Sequence, residues 1–199
     1  MNVSFSTRGW QQIPWEQQVQ MAETMRFGGV ELYNVHKTPE LTGRGGPLHR
    51  YPAAATAREL WQKGLCIPCL DTACDIAGED CTETVTALMQ LAHDVQCPYV
   101  SVTAQRDDDA RISAALEALL PAAEAQGITI LLKTSGVFSD TARLRTLLDA
   151  FACDQLGALW DMHHPYRYGG ESPRETVANL GSYIKYVHVK DSVMVDGKV

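Results

Sequence analysis

The chain has 199 residues, 45% of them hydrophobic, enough to bury one sizeable core in a single domain. Its formal net charge of −7 argues against a nucleic-acid partner, whose phosphates are met by Lys and Arg. No apolar run approaches the roughly 20 residues that cross a bilayer. The N-terminal stretch MNVSFSTRGWQQIPW has neither the basic nor the apolar region of a signal peptide, so a cytoplasmic protein with no membrane partner is expected. In that compartment the six cysteines are expected to be reduced and buried. Cys66 and Cys69 have CxxC spacing, but on a strand positions i and i+3 face opposite sides and do not share a metal.

Strand and helix patterns alternate along the chain. Val3–Thr7 reads as a strand, Trp15–Phe27 as a helix opened by Pro14 and closed by Gly28-Gly29, and Val30–Val35 as a second strand. His36–Tyr51, rich in Gly, Pro and basic residues, is a long loop of the kind that often carries function. A helix over Ala53–Lys63, a strand over Cys66–Leu70, a helix over Cys81–Val95 and a strand over Tyr99–Thr103 follow. Asp108–Ala125 is a long helix with acidic residues in its first turn, which suits the macrodipole. Thr129–Leu132 is a fifth strand and Asp140–Phe151 a helix capped by Ser139 or Asp140. The apolar runs Leu156–Trp160 and Ile184–Val187 are strands six and seven, separated by a helix over Pro173–Leu180.

Nearly continuous apolar strands alternating with helices mean a parallel sheet with covered faces. No GxGxxG or GxxxxGK[ST] follows any strand, so dinucleotide and P-loop chemistry are not signalled. Polar residues close almost every strand: Ser6 and Arg8, Glu31 and Asn34, Asp71, Thr103 and Gln105, Lys133, Asp161, His188. A ring of strand-end polar groups suits the mouth of a (β/α)8 TIM barrel better than the single crevice of an open sheet. Such a barrel takes about 250 residues. The expectation is therefore one domain over 1–199, a barrel incomplete after strand seven, lacking helix 7, strand 8 and helix 8. A missing C-terminal segment, or another chain in a homo-oligomer, would complete it.

The stretch Leu156–Ser192 carries the most chemistry. Strand six ends in Asp161-Met162-His163-His164 and strand seven in His188-Val189-Lys190-Asp191. Asp and His are ligands for Mn²⁺, Co²⁺ and Zn²⁺. On extended backbone only one of His163 and His164 can point inward. Glu31 can form a salt bridge with Arg8 or Lys133 instead of meeting a substrate.

The chain resembles the xylose-isomerase-like TIM barrels, a superfamily of sugar and sugar-phosphate isomerases and epimerases, inosose dehydratase and endonuclease IV. The resemblance runs from NVSFSTRGW through GVELYN and LDTACDI to YVHVKDS. It is most specific at LWDMHH, similar to the strand-six D-x-x-H, and at HVKDS, similar to the strand-seven H-x-KD; HPYRYGGESP between them also has the family's look. It implies a divalent metal (Mn, Mg, Co or Zn) held by a strand-five Glu, a strand-six Asp, a strand-seven His and a strand-eight Glu. Asp161 and His188 match two of these, and His164 matches a substrate-binding His. The position of the strand-five Glu is Lys133, which when charged has no lone pair for a metal. Lys133 then reads either as a replacement cation paired with Asp161 or as a Schiff-base or general-base lysine.

The implied activity is metal-dependent isomerisation or epimerisation through an enediolate, with proton transfer next to a carbonyl. Lys133, Lys190 and Glu31 are the candidate catalytic groups, His164, Trp10 and Trp160 the candidate substrate contacts. With two of four ligands missing, this chain alone is expected to be weak or inactive. The alternative is a non-catalytic domain that binds a carbohydrate or polyol, or a structural domain of a larger protein. A phosphodiesterase of the endonuclease IV kind needs more His and Glu ligands than strands two to five offer.

Overall fold

The computed structural model describes residues 2–36, 41–190 and 192. Seven strands pair in chain order and all in parallel: β1 (Ser4–Ser6), β2 (Gly29–Tyr33), β3 (Cys69–Asp75), β4 (Tyr99–Ala104), β5 (Thr129–Gly136), β6 (Leu156–Asp161) and β7 (Ile184–His188). Among the described residues seven α-helices interleave: α1 (Trp15–Thr24), α2 (Ala53–Gln62), α3 (Cys81–Asp94), α4 (Asp109–Gln126), α5 (Thr141–Phe151), α6 (His163–Tyr168) and α7 (Pro173–Leu180). The topology is that of a (β/α)8 barrel incomplete after its seventh strand. Among the described residues β1 and β7 are the two free edges. Val187 and Val189, beside the β7 edge, are exposed. Of the long loop predicted over His36–Tyr51, residues 37–40 lie outside the described residues, as does Asp191 of the HVKDS motif.

Period-two alternation sorts each strand into two faces. One face packs against the helices and forms the larger core, with Val30, Leu32, Leu70, Val100, Val102, Ile130, Leu132 and Ala158 almost fully buried. The other faces the barrel interior, where Cys69, Leu131 and Leu159 pack with Tyr99 and Tyr186. Two residues further along β3, β5, β6 and β7 stand Asp71, Lys133, Asp161 and His188. The interior is thus apolar at one level and charged at the carboxyl ends of the strands.

Three element predictions are corrected. β3 starts at Cys69 rather than Cys66: Cys66 makes only an isolated bridge with Gly29, and Pro68 has no N–H to give a ladder. The strand runs on to Asp75 because its polar side chains are satisfied locally. Thr72 Oγ1 donates to the Ser101 carbonyl at 2.8 Å, and Asp71 Oδ1 accepts from the Ala73 N–H at 3.0 Å. β5 likewise continues through Lys133 to Gly136, where φ is +62° and a Cβ would come within 2.1 Å of the Ala104 carbonyl oxygen, so a glycine ends the strand at its register shift with β4. Third, the LWDMHH motif does not stay extended. His163 and His164 open α6, and the His163 N–H is taken by Asp161 Oδ1 at 3.2 Å. All six cysteines are free, but Cys66 is exposed rather than buried. α7 is closed at its start by the capping box of Ser172 and Glu175.

Candidate functional site

A cavity of about 700 Å³ opens at the carboxyl ends of the strands and extends sideways between β1 and β7. That is where small-molecule sites sit in this architecture, and the volume includes the slot between the two edge strands as well as the mouth. Ser6 at the end of β1, Arg8 just after it, Glu31, Asp71, Lys133, Asp161, Tyr186, His188 and Lys190 line it.

Its charges are arranged as three contacts. Lys133 Nζ donates to Asp71 Oδ2 at 3.1 Å, reaching from β5 over β4 to β3, with both side chains almost fully buried (6% and 2% exposed). His188 Nε2 lies 2.6 Å from Glu31 Oε2, joining β7 to β2 across the barrel. Lys190 Nζ lies 2.8 Å from Asp161 Oδ2. The predicted pairing of Lys133 with Asp161 is corrected: Asp71 is the partner, because the β5 side chain crosses the interior instead of turning to the adjacent strand. Neither Arg8 nor Lys133 pairs with Glu31; His188 does.

Local structure holds these groups in place. Thr134 Oγ1 accepts the Asp161 N–H at 2.9 Å and donates to the Asp161 carbonyl at 3.2 Å, so a side chain completes the β5–β6 ladder where Asp161 leaves it. His188 is the register partner of Asp161, so strands six and seven lie side by side with both residues at the cavity. Glu31 is almost fully buried, and its Oε1 has no hydrogen-bond partner among the described residues. The Tyr186 phenol is held well above its ordinary pKa first by burial, then by the Glu31 charge and by its hydrogen-bonding approach to the Glu31 carboxylate, although Glu31 Oε1 itself lacks an aligned partner.

Burial is the largest influence on Asp161 and opposes its ionisation. Lys190, His164 and Lys133 together outweigh it and hold the carboxyl below its usual value. His164, 3.8 Å from Asp161 Oδ2, is pushed down to about 4, first by burial, against the pull of Asp161. A histidine kept neutral in the fold takes up protons only when the chain unfolds, so stability falls as pH drops from about 6.5 to about 4. Below that, protonation of Asp161 adds to the loss. NMR titration of the His164 ring is expected to show a midpoint near 4; a midpoint near its ordinary value would refute the burial argument.

The structure brings together Glu31, Lys133, Asp161, His188 and Lys190. His164 touches Asp161 but is not among the residues that line the cavity. Trp10 packs on Phe5 at 5.8 Å, and Trp160 lies on the opposite strand face from Asp161; neither lines the cavity. Asp71, Arg8 and Tyr186 were not singled out as site residues from the sequence. For Asp71 the signal is a carboxylate two residues beyond the inward-facing Cys69 in an otherwise apolar run.

The chemistry of the donor set decides how a divalent ion fits. The four-ligand set implied by resemblance is not assembled among the described residues: Asp161 Oδ2 faces the Lys190 ammonium at 2.8 Å as an ion pair without an aligned hydrogen bond, and Lys133 holds the strand-five position. Glu31, Asp71 and His188 do offer ligand atoms within 4.8 Å of one another. The Lys133 ammonium sits on one of them, Asp71, and its charge opposes a second cation there. The residues as arranged do not fit the ion, and no chemical step is derived through it.

A family model described as xylose isomerase-like TIM barrel matches residues 19–198. The chain belongs to this family. Among solved structures of the same fold, a xylose isomerase domain protein from Planctomyces limnophilus is 15% identical, with TM-score 0.74 over 98% of this chain and 76% of that one. The IolI protein with a binding zinc atom is 15% identical, with TM-score 0.74 over 100% and 76%. Endonuclease IV from Thermus thermophilus is 16% identical, with TM-score 0.68 over 100% and 79%. At these identities the likeness is one of fold. No curated protein matches the sequence. Among the described residues no helix is long and apolar enough to cross a membrane.

Proposed function

We propose that the cavity binds a small polyhydroxylated carbonyl compound, a sugar or sugar phosphate, and removes the proton from the carbon next to its carbonyl, returning it to the former carbonyl carbon, as an isomerase does, or to the opposite face of the same carbon, as an epimerase does. The observation that carries this reading is the buried Glu31 carboxylate. One oxygen is fixed by His188 and the other is unpartnered among the described residues, in a cavity that also holds the Lys133 ammonium. A buried carboxylate with one oxygen not tied up by an aligned hydrogen bond, and the Tyr186 phenol beside it, is a proton acceptor whose water has been removed. Of the three donors of Lys133, one is used by Asp71, leaving two for a carbonyl oxygen that gains charge as the enediolate forms. Lys190, fixed by Asp161, supplies a further donor for a hydroxyl. Arg8, stacked 5.1 Å from the Tyr33 ring centre at the cavity rim, favours a phosphorylated ligand there. The net charge of −7 offers little to the phosphate backbone of a nucleic acid, and we place the protein in the cytoplasm as part of the same proposal.

The test is exchange in D₂O. The purified chain, incubated with free and phosphorylated aldoses and ketoses, is expected to place deuterium on the carbon next to the carbonyl, read by proton NMR, with phosphorylated sugars preferred. Ligand-induced thermal stabilisation without exchange would replace the enzyme reading with a carbohydrate-binding one. Neither exchange nor stabilisation across the panel would remove both.

A further inference from the structure

Glu31, Asp71 and His188 come from β2, β3 and β7, and their ligand atoms lie within 4.8 Å of one another. Two carboxylates and one imidazole at that spacing are a donor set for a divalent ion. Glu31 adds an independent sign: Oε1 is buried with no partner among the described residues, which is costly unless something cationic or a donor meets it. Yet the third carboxylate of the cavity, Asp161, is engaged by Lys190, and Asp71 by Lys133. Lys133 is itself buried, with its Nζ 3.1 Å from a would-be ligand oxygen.

We propose that Lys133 is a tethered cation: its ammonium neutralises the seat that Glu31, Asp71 and His188 would otherwise give to a divalent ion, so the cavity works without a resident metal and acquires a metal site when the ammonium is removed. The inference deepens, and rests on, the reading of this cavity as the functional centre. An ammonium and a divalent ion compete for the same carboxylate, and at contact distance in a partly dry site their repulsion outweighs any ligand gain from keeping both. The ammonium differs from an ion in two ways. It cannot dissociate, and it donates hydrogen bonds to a substrate oxygen where an ion would accept that oxygen's lone pair.

The probe is Co²⁺ alone, read by isothermal calorimetry, by visible absorbance and by thermal shift, with no substrate present. The wild-type chain is expected to bind no stoichiometric Co²⁺. Lys133→Ala is expected to bind one equivalent at least about 100-fold more tightly than wild type, and to gain thermal stability when it does. Adding Asp71→Asn to that variant should abolish the gain. Lys190→Ala, which removes an equal charge from the same cavity but not from Asp71, should gain none. Should Lys133→Ala fail to fold, Lys133→Gln removes the charge while keeping a donor to Asp71 and should show the same gain. One equivalent of Co²⁺ bound by the wild type, or folded Lys133 variants that bind no more tightly, overturns the proposal. Because no sugar is involved, failure of the exchange assay leaves this measurement intact.

Discussion

Replacing Lys133 with methionine is expected to lower the free energy of unfolding by about 3–5 kcal/mol, the cost of stranding a buried carboxylate by removing its partner. Asp71 is 1% exposed, and Lys133 is its ion-pair partner. For a chain of this size such a loss lowers the melting temperature by about 10 °C. The double change Lys133→Met with Asp71→Leu should recover most of the stability or exceed wild type, because it removes the desolvation cost of both charges together. Urea unfolding of the four proteins in this cycle measures the coupling. A single Lys133→Met costing less than about 1 kcal/mol would mean that water reaches Asp71, contrary to the packing described. If the double variant is stable but inactive, the pair is held for binding and chemistry rather than for folding.

The second large effect is at Glu31. Glu31→Gln keeps the shape and an acceptor for His188, but an amide does not take up a proton. With whichever sugar supports deuterium exchange, the rate is expected to fall by about 10²–10⁴-fold. Binding, followed by thermal stabilisation, should change far less, because the donors on Lys133 and Lys190 are untouched. Exchange close to the wild-type rate would remove Glu31 as the base. A matched loss of binding and rate would instead make it a substrate-anchoring group. Asp161→Asn offers a contrast: with Lys190 released and the α6 start still capped by an amide oxygen, binding should suffer more than proton transfer.

The parallel order of strands was legible because period-two and period-3.6 patterning alternates so regularly along the chain. Boundaries slipped where side chains stood in for backbone partners. Thr72, Asp71 and Thr134 carry strands past the end of their apolar runs, and propensity contains no term for such bonds. His163 and His164 were expected on extended chain, but Asp161 Oδ1 takes the His163 N–H and starts a helix there. Asp161, His188 and Lys133 were recognisable through the family-like motifs of strands five to seven, and Lys190 and Glu31 through their places among the strand-end polar groups, although β5 and β2 run on past Lys133 and Glu31. Trp10 and Trp160 carry rings suited to a sugar face, but which way those rings point depends on packing that the sequence does not state.

What the amino-acid sequence determined by itself was the set of charges gathered at one end of a parallel barrel: inward positions follow from alternation, and strand ends follow from where apolar runs stop. Which charge meets which was decided only by tertiary structure. Lys133 reaches Asp71 across 62 residues of sequence and His188 reaches Glu31 across 157. Those encounters depend on strand stagger and on how the sheet curves round its interior. Curvature and stagger arise from the packing of all seven strands and their helices together, so no local stretch of residues encodes them.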